Sequence, residues 1–276
     1  MSLIDTFAPD RLAAARLSST NSQDSGALRE MINAYSEGSR GPLWHSDWAW
    51  THYEPLALAL ARRFGLRRLL EIGGGRDPGF LYLRHEPGLD IIINDIDQAE
   101  LALLPPGTPT AQFDIAGDLA GRHDLFENFD MLTARMVFEH IQDVRAAWQN
   151  VHRLLRPGGI GMAFFPTLYA LPFAINAMLP AQTAKRIVEL VYPSRSASGD
   201  NPVFPARYDW CFGSEAKQRQ MLEPIGFSEI VVLPFWGHHY LDGVPVLRTI
   251  DNAFNRACAA LNWRLFTTYA VILAMK

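Results

Sequence analysis

Short apolar runs recur from residue 69 onward, the first leading into glycines and the second ending in a carboxylate. They are Leu69-Leu70-Glu71-Ile72, Leu89-Asp90-Ile91-Ile92-Ile93-Asn94-Asp95, Phe129-Asp130-Met131-Leu132-Thr133-Ala134 and the segment 160–165. Near-continuous apolar runs of this length predict parallel strands buried on both faces. Shorter runs at 110–113, 228–233 and 267–275 predict a third, a sixth and a last strand. Helical spacing fills the intervals. Val144, Ala147, Trp148, Val151, Leu154 and Leu155 fall on one face of a helix, and Arg156-Pro157-Gly158-Gly159 reads as its stop. Further helices are expected over 54–64, with Pro55 in the first turn, over 98–104, from a Ser214 cap to a stop at Gly226, and near 246–261. Strands alternating with helices predict an α/β fold built on a doubly wound parallel sheet.

In such a sheet the carboxyl ends of the strands share one rim, where ligands bind. The chemistry of the sequence collects there. The first strand breaks into Gly73-Gly74-Gly75-Arg76-Asp77-Pro78-Gly79 just after Glu71. Glycine takes positive φ and lets a ligand lie against the main chain. The second strand ends in Asp95, an acid placed to hold both hydroxyls of a ribose, and the third in Asp114. Three acids at successive strand ends predict a nucleoside-cofactor crevice. The fourth strand leaves into Arg135-Met136-Val137-Phe138-Glu139-His140.

Composition narrows the field. The chain has 276 residues, a hydrophobic content of 49% and a net charge of −4. That suits one domain with elaborations and argues against a nucleic-acid surface, which needs a basic stripe. Cys211 and Cys258 lack metal-ligand spacing and read as reduced core residues, which fits a cytoplasmic protein; no metal site is read. The N-terminus shows no basic and apolar signal pattern. Residues 1 to about 40 are polar and mixed, with a loop over 18–26. In 41–53, three Trp, two His and a Tyr form either an aromatic brace or a lid over a small-molecule pocket. The apolar stretch 166–180 carries three prolines and is too interrupted to span a membrane. It reads as an insertion that walls an acceptor site or meets a membrane surface peripherally. The expected organisation is an extension or lid over 1–53 and a main domain over 54–276, with insertions near 166–210 and 236–262.

The ordered set Leu70-Glu71-Ile72-Gly73-Gly74-Gly75, Asn94-Asp95-Ile96-Asp97, Phe129 to Arg135 with Glu139-His140, and Leu154-Leu155-Arg156-Pro157-Gly158-Gly159 resembles the class I S-adenosylmethionine-dependent methyltransferases, in particular the group called methyltransferase type 11. The resemblance covers about residues 65–165 well. It implies a Rossmann-like seven-stranded sheet with an antiparallel last strand, and S-adenosylmethionine as cofactor. It also implies that Glu71, Gly73, Gly74 and Gly75 cradle the methionyl part, that Asp95 holds the ribose and Ile96 packs on the adenine. Asp114 then binds the adenine amino group with Ile115 against the ring, and Ala134 and Arg135 lie near the sulfonium and carboxylate. The sequence departs from the family after the glycines, where Arg76-Asp77-Pro78-Gly79 intervenes.

A hydroxyl acceptor must lose a proton during methyl transfer, and His140, leaving the fourth strand, is the candidate base. Trp44, His45, Tyr208, Trp210, His238, His239 and Tyr240 are candidate contacts for a small-molecule acceptor, with sugars, lipids and natural products as the classes expected. Two rival readings stand beside this one. A nicotinamide-dependent reductase fits Gly73-x-Gly75 and an acid near 95, but Pro78 occupies the place of its third glycine. A non-catalytic binding protein could keep the same fold, although every cofactor residue is present.

Overall fold

The computed structural model describes residues 26–168 and 206–276. Its centre is a seven-stranded sheet of β1 (Arg68–Ile72), β2 (Asp90–Asp95), β3 (Thr110–Gln112), β4 (Phe129–Arg135), β5 (Leu155–Pro166), β6 (Glu229–Phe235) and β7 (Tyr269–Met275), in the order β3-β2-β1-β4-β5-β7-β6. β1 pairs in parallel with β2 and β4, and β4 with β5, while β7 runs antiparallel to both β5 and β6. The doubly wound sheet with an antiparallel last strand is therefore as expected.

Alternate residues of each strand feed two cores. Leu70, Ile72, Ile92, Leu132, Ala163 and Ile272 face one, packed with Val144, Ala147, Trp148 and Val151 of α4 (Val144–Leu154). Leu69, Ile91, Ile93, Met131, Met162 and Val271 face the other, against α1 (Ala27–Gly38) and α2 (Ser46–Phe64). Period-two side-chain direction with both faces covered accounts for the unbroken apolar runs of the sequence. Among the described residues the remaining α-helices are α3 (Gln98–Leu101), α5 (Glu215–Leu222) and α6 (Pro245–Ala260).

Three boundaries differ from the sequence reading. First, α2 begins at Ser46, so Pro55 lies inside the helix and not in its first turn. Proline gives no N–H to the Thr51 carbonyl, which is tolerable because Thr51 is exposed. Ala49, Tyr53, Leu56, Ala57 and Leu60 continue one buried stripe through the proline, and tertiary burial outweighs the local break. Second, Arg156-Pro157-Gly158-Gly159 belongs to β5. α4 has already ended at Leu154, and the register slips between Phe129 and Met131 to accommodate these residues as an irregularity. Gly158 adopts φ +77°, which only glycine takes without strain. Third, α1 occupies a polar, mixed stretch for which the sequence named no element. Its N-terminus has no side-chain cap of its own. Instead the Glu229 carboxylate, from the start of β6, accepts from the N–H groups of Gly26, Leu28 and Arg29 at 3.3, 3.1 and 2.9 Å. Most of the expected insertion 166–210 lies outside the described residues.

Candidate active site

β1 leaves the sheet into the glycine bend. Gly73 and Gly75 hold φ +65° and +50°. A Cβ on Gly73 would lie 2.6 Å from Val137 Cγ2, and one on Gly74 would lie 2.8 Å from Ile93 Cγ2. The bend is thus packed so tightly on β2 and the exit of β4 that a methyl group has no room. The Gly74 N–H donates to the Asn94 carbonyl at 2.9 Å, tying the bend to the end of β2. Glu71 is 5% exposed. Its Oε1 accepts from the Gly79 N–H at 2.7 Å and its Oε2 from the Phe80 N–H at 3.0 Å. Burial pushes the carboxyl pKa up, and the two backbone donors pull it part of the way back. Both oxygens are engaged in holding the 73–80 loop in a closed curve, so Glu71 shapes the bend from beneath.

Asp95 is half-buried at the end of β2. Its Oδ1 accepts from the Asp97 N–H at 2.9 Å, and its Oδ2 lies 3.4 Å from where a Gly75 Cβ would sit. The second oxygen is therefore turned toward the glycine bend. Ile96 next to it is 64% exposed, an apolar side chain held outward on the rim. Asp114 is exposed just past β3 and accepts from the Ala116 N–H at 2.8 Å. Ile115, by contrast, is 5% exposed and packed in the core. The carbonyls of Ile115 and Gly117 are fixed by the Asn150 amide, each at 2.8 Å.

At the end of β4, Ala134 is engaged through its backbone. Its N–H donates to the Tyr53 hydroxyl at 3.0 Å, and that hydroxyl lies 2.9 Å from the Ala134 carbonyl and 3.0 Å from the Met162 carbonyl. Arg135 Nη1 donates to Glu54 Oε1 at 2.5 Å. The pair lies against the glycine loop, since a Gly79 Cβ would fall 2.9 Å from Glu54 Oε1 and 3.1 Å from Arg135 Nη2. Tyr53 and Glu54 are site residues that the sequence reading did not single out. The apolar stripe running back from Leu60 through Tyr53 to Ala49 would have carried α2 across them.

His140 ends a 3-10 turn over Phe138–His140, with its side chain about one-third exposed. Its Nε2 is 3.8 Å from Glu139 Oε1. Glu139 is 2% exposed, its Oε2 has no hydrogen-bond partner among the described residues, and burial pushes its carboxyl up to about 8. The Glu139 carbonyl accepts from the Arg207 and Tyr208 N–H groups at 2.7 and 3.3 Å, anchoring the returning chain beside the turn. Burial also raises the Cys211 thiol, with Glu139 and Asp209 adding to the rise.

The aromatic candidates divide into two groups. Tyr208 and Trp210 pack against the α4-side core near Glu139. Trp44, His45, His238, His239 and Tyr240 lie on the α2 side, where Trp44 and His45 meet the loop after β6. His238 is 3% exposed and packs 3.2 Å from Asp251 Oδ2 of α6. The Tyr240 hydroxyl pairs with that of Tyr269 at the start of β7. Trp48 and Tyr53 are 2% and 1% exposed and act as a brace, whereas Trp50, 42% exposed, meets Phe164 and Tyr269 edge-on. Segment 41–53 thus begins as a short irregular stretch and continues as the first turns of α2.

The sequence profile of a family described as a methyltransferase domain matches residues 47–185. No curated protein sequence matches the chain. Among solved structures, the DszA carbon methyltransferase is similar at 16% identity with a TM-score of 0.50, covering 82% of this chain and 54% of its own. An S-adenosylmethionine-dependent methyltransferase from Archaeoglobus fulgidus is 19% identical with a TM-score of 0.47, covering 89% of this chain and 99% of its own. The [4+2]-cyclase SpnF is 16% identical with a TM-score of 0.47, covering 90% and 92%. At 16% identity the likeness to the DszA methyltransferase speaks to the fold alone.

Proposed function

Because the chain belongs to the methyltransferase-domain family, whose cofactor is S-adenosylmethionine, we propose that the rim formed by β1, β2, β3 and β4 binds that cofactor for transfer of its methyl group to a small-molecule acceptor. One observation carries the reading. A bend with left-handed Gly73 and Gly75 has the Asp95 carboxylate turned toward it, Oδ2 lying 3.4 Å from where a Gly75 Cβ would sit, beside an isoleucine held out into the open. Such a bend admits a nucleoside, the carboxylate suits its vicinal hydroxyls, and the exposed apolar surface suits its base.

In this reading the backbone of Gly73, Gly74 and Gly75 holds the methionyl portion, on a loop whose curvature is kept by Glu71. Asp95 accepts from the ribose hydroxyls, Ile96 covers one face of the adenine, and Asp114 accepts from its amino group. Ile115 supports that edge from the core. Ala134 and Arg135 border the amino-acid end, with Glu54 setting the direction of the guanidinium. The bound cofactor supplies a methyl group on a cationic sulfur, which is already activated for in-line displacement. The chain therefore has to align the acceptor and keep out water. His140 receives the acceptor proton when the acceptor is a hydroxyl. Tyr208 and Trp210 line the acceptor side near it, and Trp44, His45, His238, His239 and Tyr240 border the side covered by the segment up to residue 53. Aromatic bodies with polar tips fit a carbon-rich or glycan-like acceptor.

Calorimetric titration with S-adenosylhomocysteine and, separately, with NADH tests the reading. Saturable binding of the first with no heat from the second is expected. Binding of NADH alone would overturn it in favour of nicotinamide chemistry.

A further inference from the structure

Outside the cofactor rim, four titratable side chains meet where α2 begins and the loop after β6 passes over it. We propose that His45, Asp47 and His239 bind a divalent transition-metal ion of the zinc type, with Asp242 orienting His239 for the purpose.

One ligand atom from each of the first three residues lies within 4.8 Å of the others. His45 Nδ1 is 3.2 Å from Asp47 Oδ2, and His239 Nε2 is 2.7 Å from Asp47 Oδ1. The two imidazole rings are 4.8 Å apart, centre to centre. The proton positions follow from the partners. His45 caps α2, its Nδ1 accepting from the Asp47 backbone N–H at 3.2 Å. That nitrogen therefore carries a lone pair, which an ion would take in place of this cap. His239 Nδ1 meets Asp242 Oδ2 at 2.6 Å, which fixes a proton on Nδ1 and turns Nε2 toward the other two groups. A carboxylate behind an imidazole whose second nitrogen faces outward is the usual support of a metal-binding histidine.

Without an ion, His239 holds the cluster together by bridging Asp242 and Asp47 through its two ring nitrogens. A metal ion would take the place of the proton on Nε2. Two ligand atoms on a tetrahedral zinc stand roughly 3.3 Å apart. His45 Nδ1 and Asp47 Oδ2 already stand near that spacing, whereas His239 Nε2 meets the other oxygen, Oδ1, so for both rings to share one ion His239 or the Asp47 carboxylate has to turn. Both of those side chains are more than half exposed, which allows the movement and gives the ion a way in. Two imidazoles and one carboxylate favour zinc, nickel or cobalt over magnesium or calcium.

The backbone beneath is locked. The Trp236 and Gly237 N–H groups donate to the Trp44 carbonyl at 2.7 and 3.0 Å, and the Ser46 N–H donates to the Gly237 carbonyl at 3.0 Å. A Cβ on Gly237 would fall 2.2 Å from His45 Cδ2, so glycine is needed to seat the imidazole. The ligands thus come from two segments fixed to each other before any ion arrives. An ion bound there staples the start of α2 to the loop after β6.

The test uses the full chain stripped with chelator and titrated with cobalt(II) and zinc. One ion per chain, visible cobalt absorption bands displaced by zinc, and a melting temperature raised by several degrees are the expected results. Asp47→Asn and His239→Ala should each weaken cobalt binding at least tenfold, and Asp242→Asn by about ten- to a hundredfold. Absence of saturable binding and of cobalt bands at millimolar metal would overturn the proposal, as would unchanged affinity in His239→Ala. If a variant fails to fold, the wild-type cobalt spectrum decides alone.

Discussion

Replacing Tyr53 by Phe removes one oxygen from the place where β4 and β5 run side by side. That oxygen accepts from the Ala134 N–H at 3.0 Å and lies within hydrogen-bond reach of two carbonyls, at 2.9 and 3.0 Å. Tyr53 is 1% exposed, so no water can stand in for it. A buried donor left without a partner costs about 1–3 kcal/mol. For a chain of this size each kcal/mol moves the melting temperature by about 2–4 °C, so Tyr53→Phe should melt on the order of 2–12 °C lower. Tyr35→Phe is the matched control. The Tyr35 hydroxyl is also buried, but it has no partner among the described residues, and burial pushes its pKa up to about 12. Deleting an unsatisfied hydroxyl relieves a desolvation cost, so this variant should be as stable as the wild type or more so. Urea and thermal unfolding followed by circular dichroism would compare the two. Equal losses for the two variants would refute the argument, because the same atom would then matter regardless of what it bonds.

Asp95→Asn keeps an acceptor for the Asp97 N–H but loses the charge, and charge-assisted bonds of about 1.5–3 kcal/mol put its S-adenosylhomocysteine affinity about ten- to a hundredfold lower by calorimetry. Glu71→Gln places an amide donor against one of two backbone N–H groups; a lower melting temperature and about tenfold weaker binding of the same ligand are expected from the loss of a charged acceptor. Glu139 gives a pH signature. The folded carboxyl titrates at about 8, against about 4.5 when unfolded. The native state therefore keeps a proton that the unfolded chain releases, and stability falls as pH rises between those values before levelling off. Glu139→Gln should remove this slope, melting above the wild type at about pH 8.5 and close to it at about pH 5. A parallel pair of curves would contradict the assignment.

The strands were legible because burial on both sheet faces leaves uninterrupted apolar runs. α4 was legible because it is buried on one face only. The reading of α2 failed at Pro55, where a local rule about proline was outweighed by a stripe of buried residues spanning it. α1 went unseen although Leu28, Met31, Ile32 and Tyr35 have helical spacing, because the polar surroundings masked so short a signal. Glycines and acids at strand ends marked the site, yet which oxygens remain available could not be read from residue types. Glu71 and Asp95 look alike in sequence, and only their hydrogen bonds separate a carboxylate that shapes a loop from one with an oxygen left turned toward the glycine bend. Long-range partners such as Tyr53 with Ala134, or Asp47 with His239, leave no local pattern at all.

The Glu229 carboxylate that receives three N–H groups of α1 has a bearing on how the molecule comes together. The group that neutralises the amino end of this first described helix is made some two hundred residues after the helix itself. A short helix without that support is marginal in water. α1 should therefore be among the last pieces to settle, arriving only once β6 is in the sheet, and a chain interrupted before residue 229 would leave it unformed.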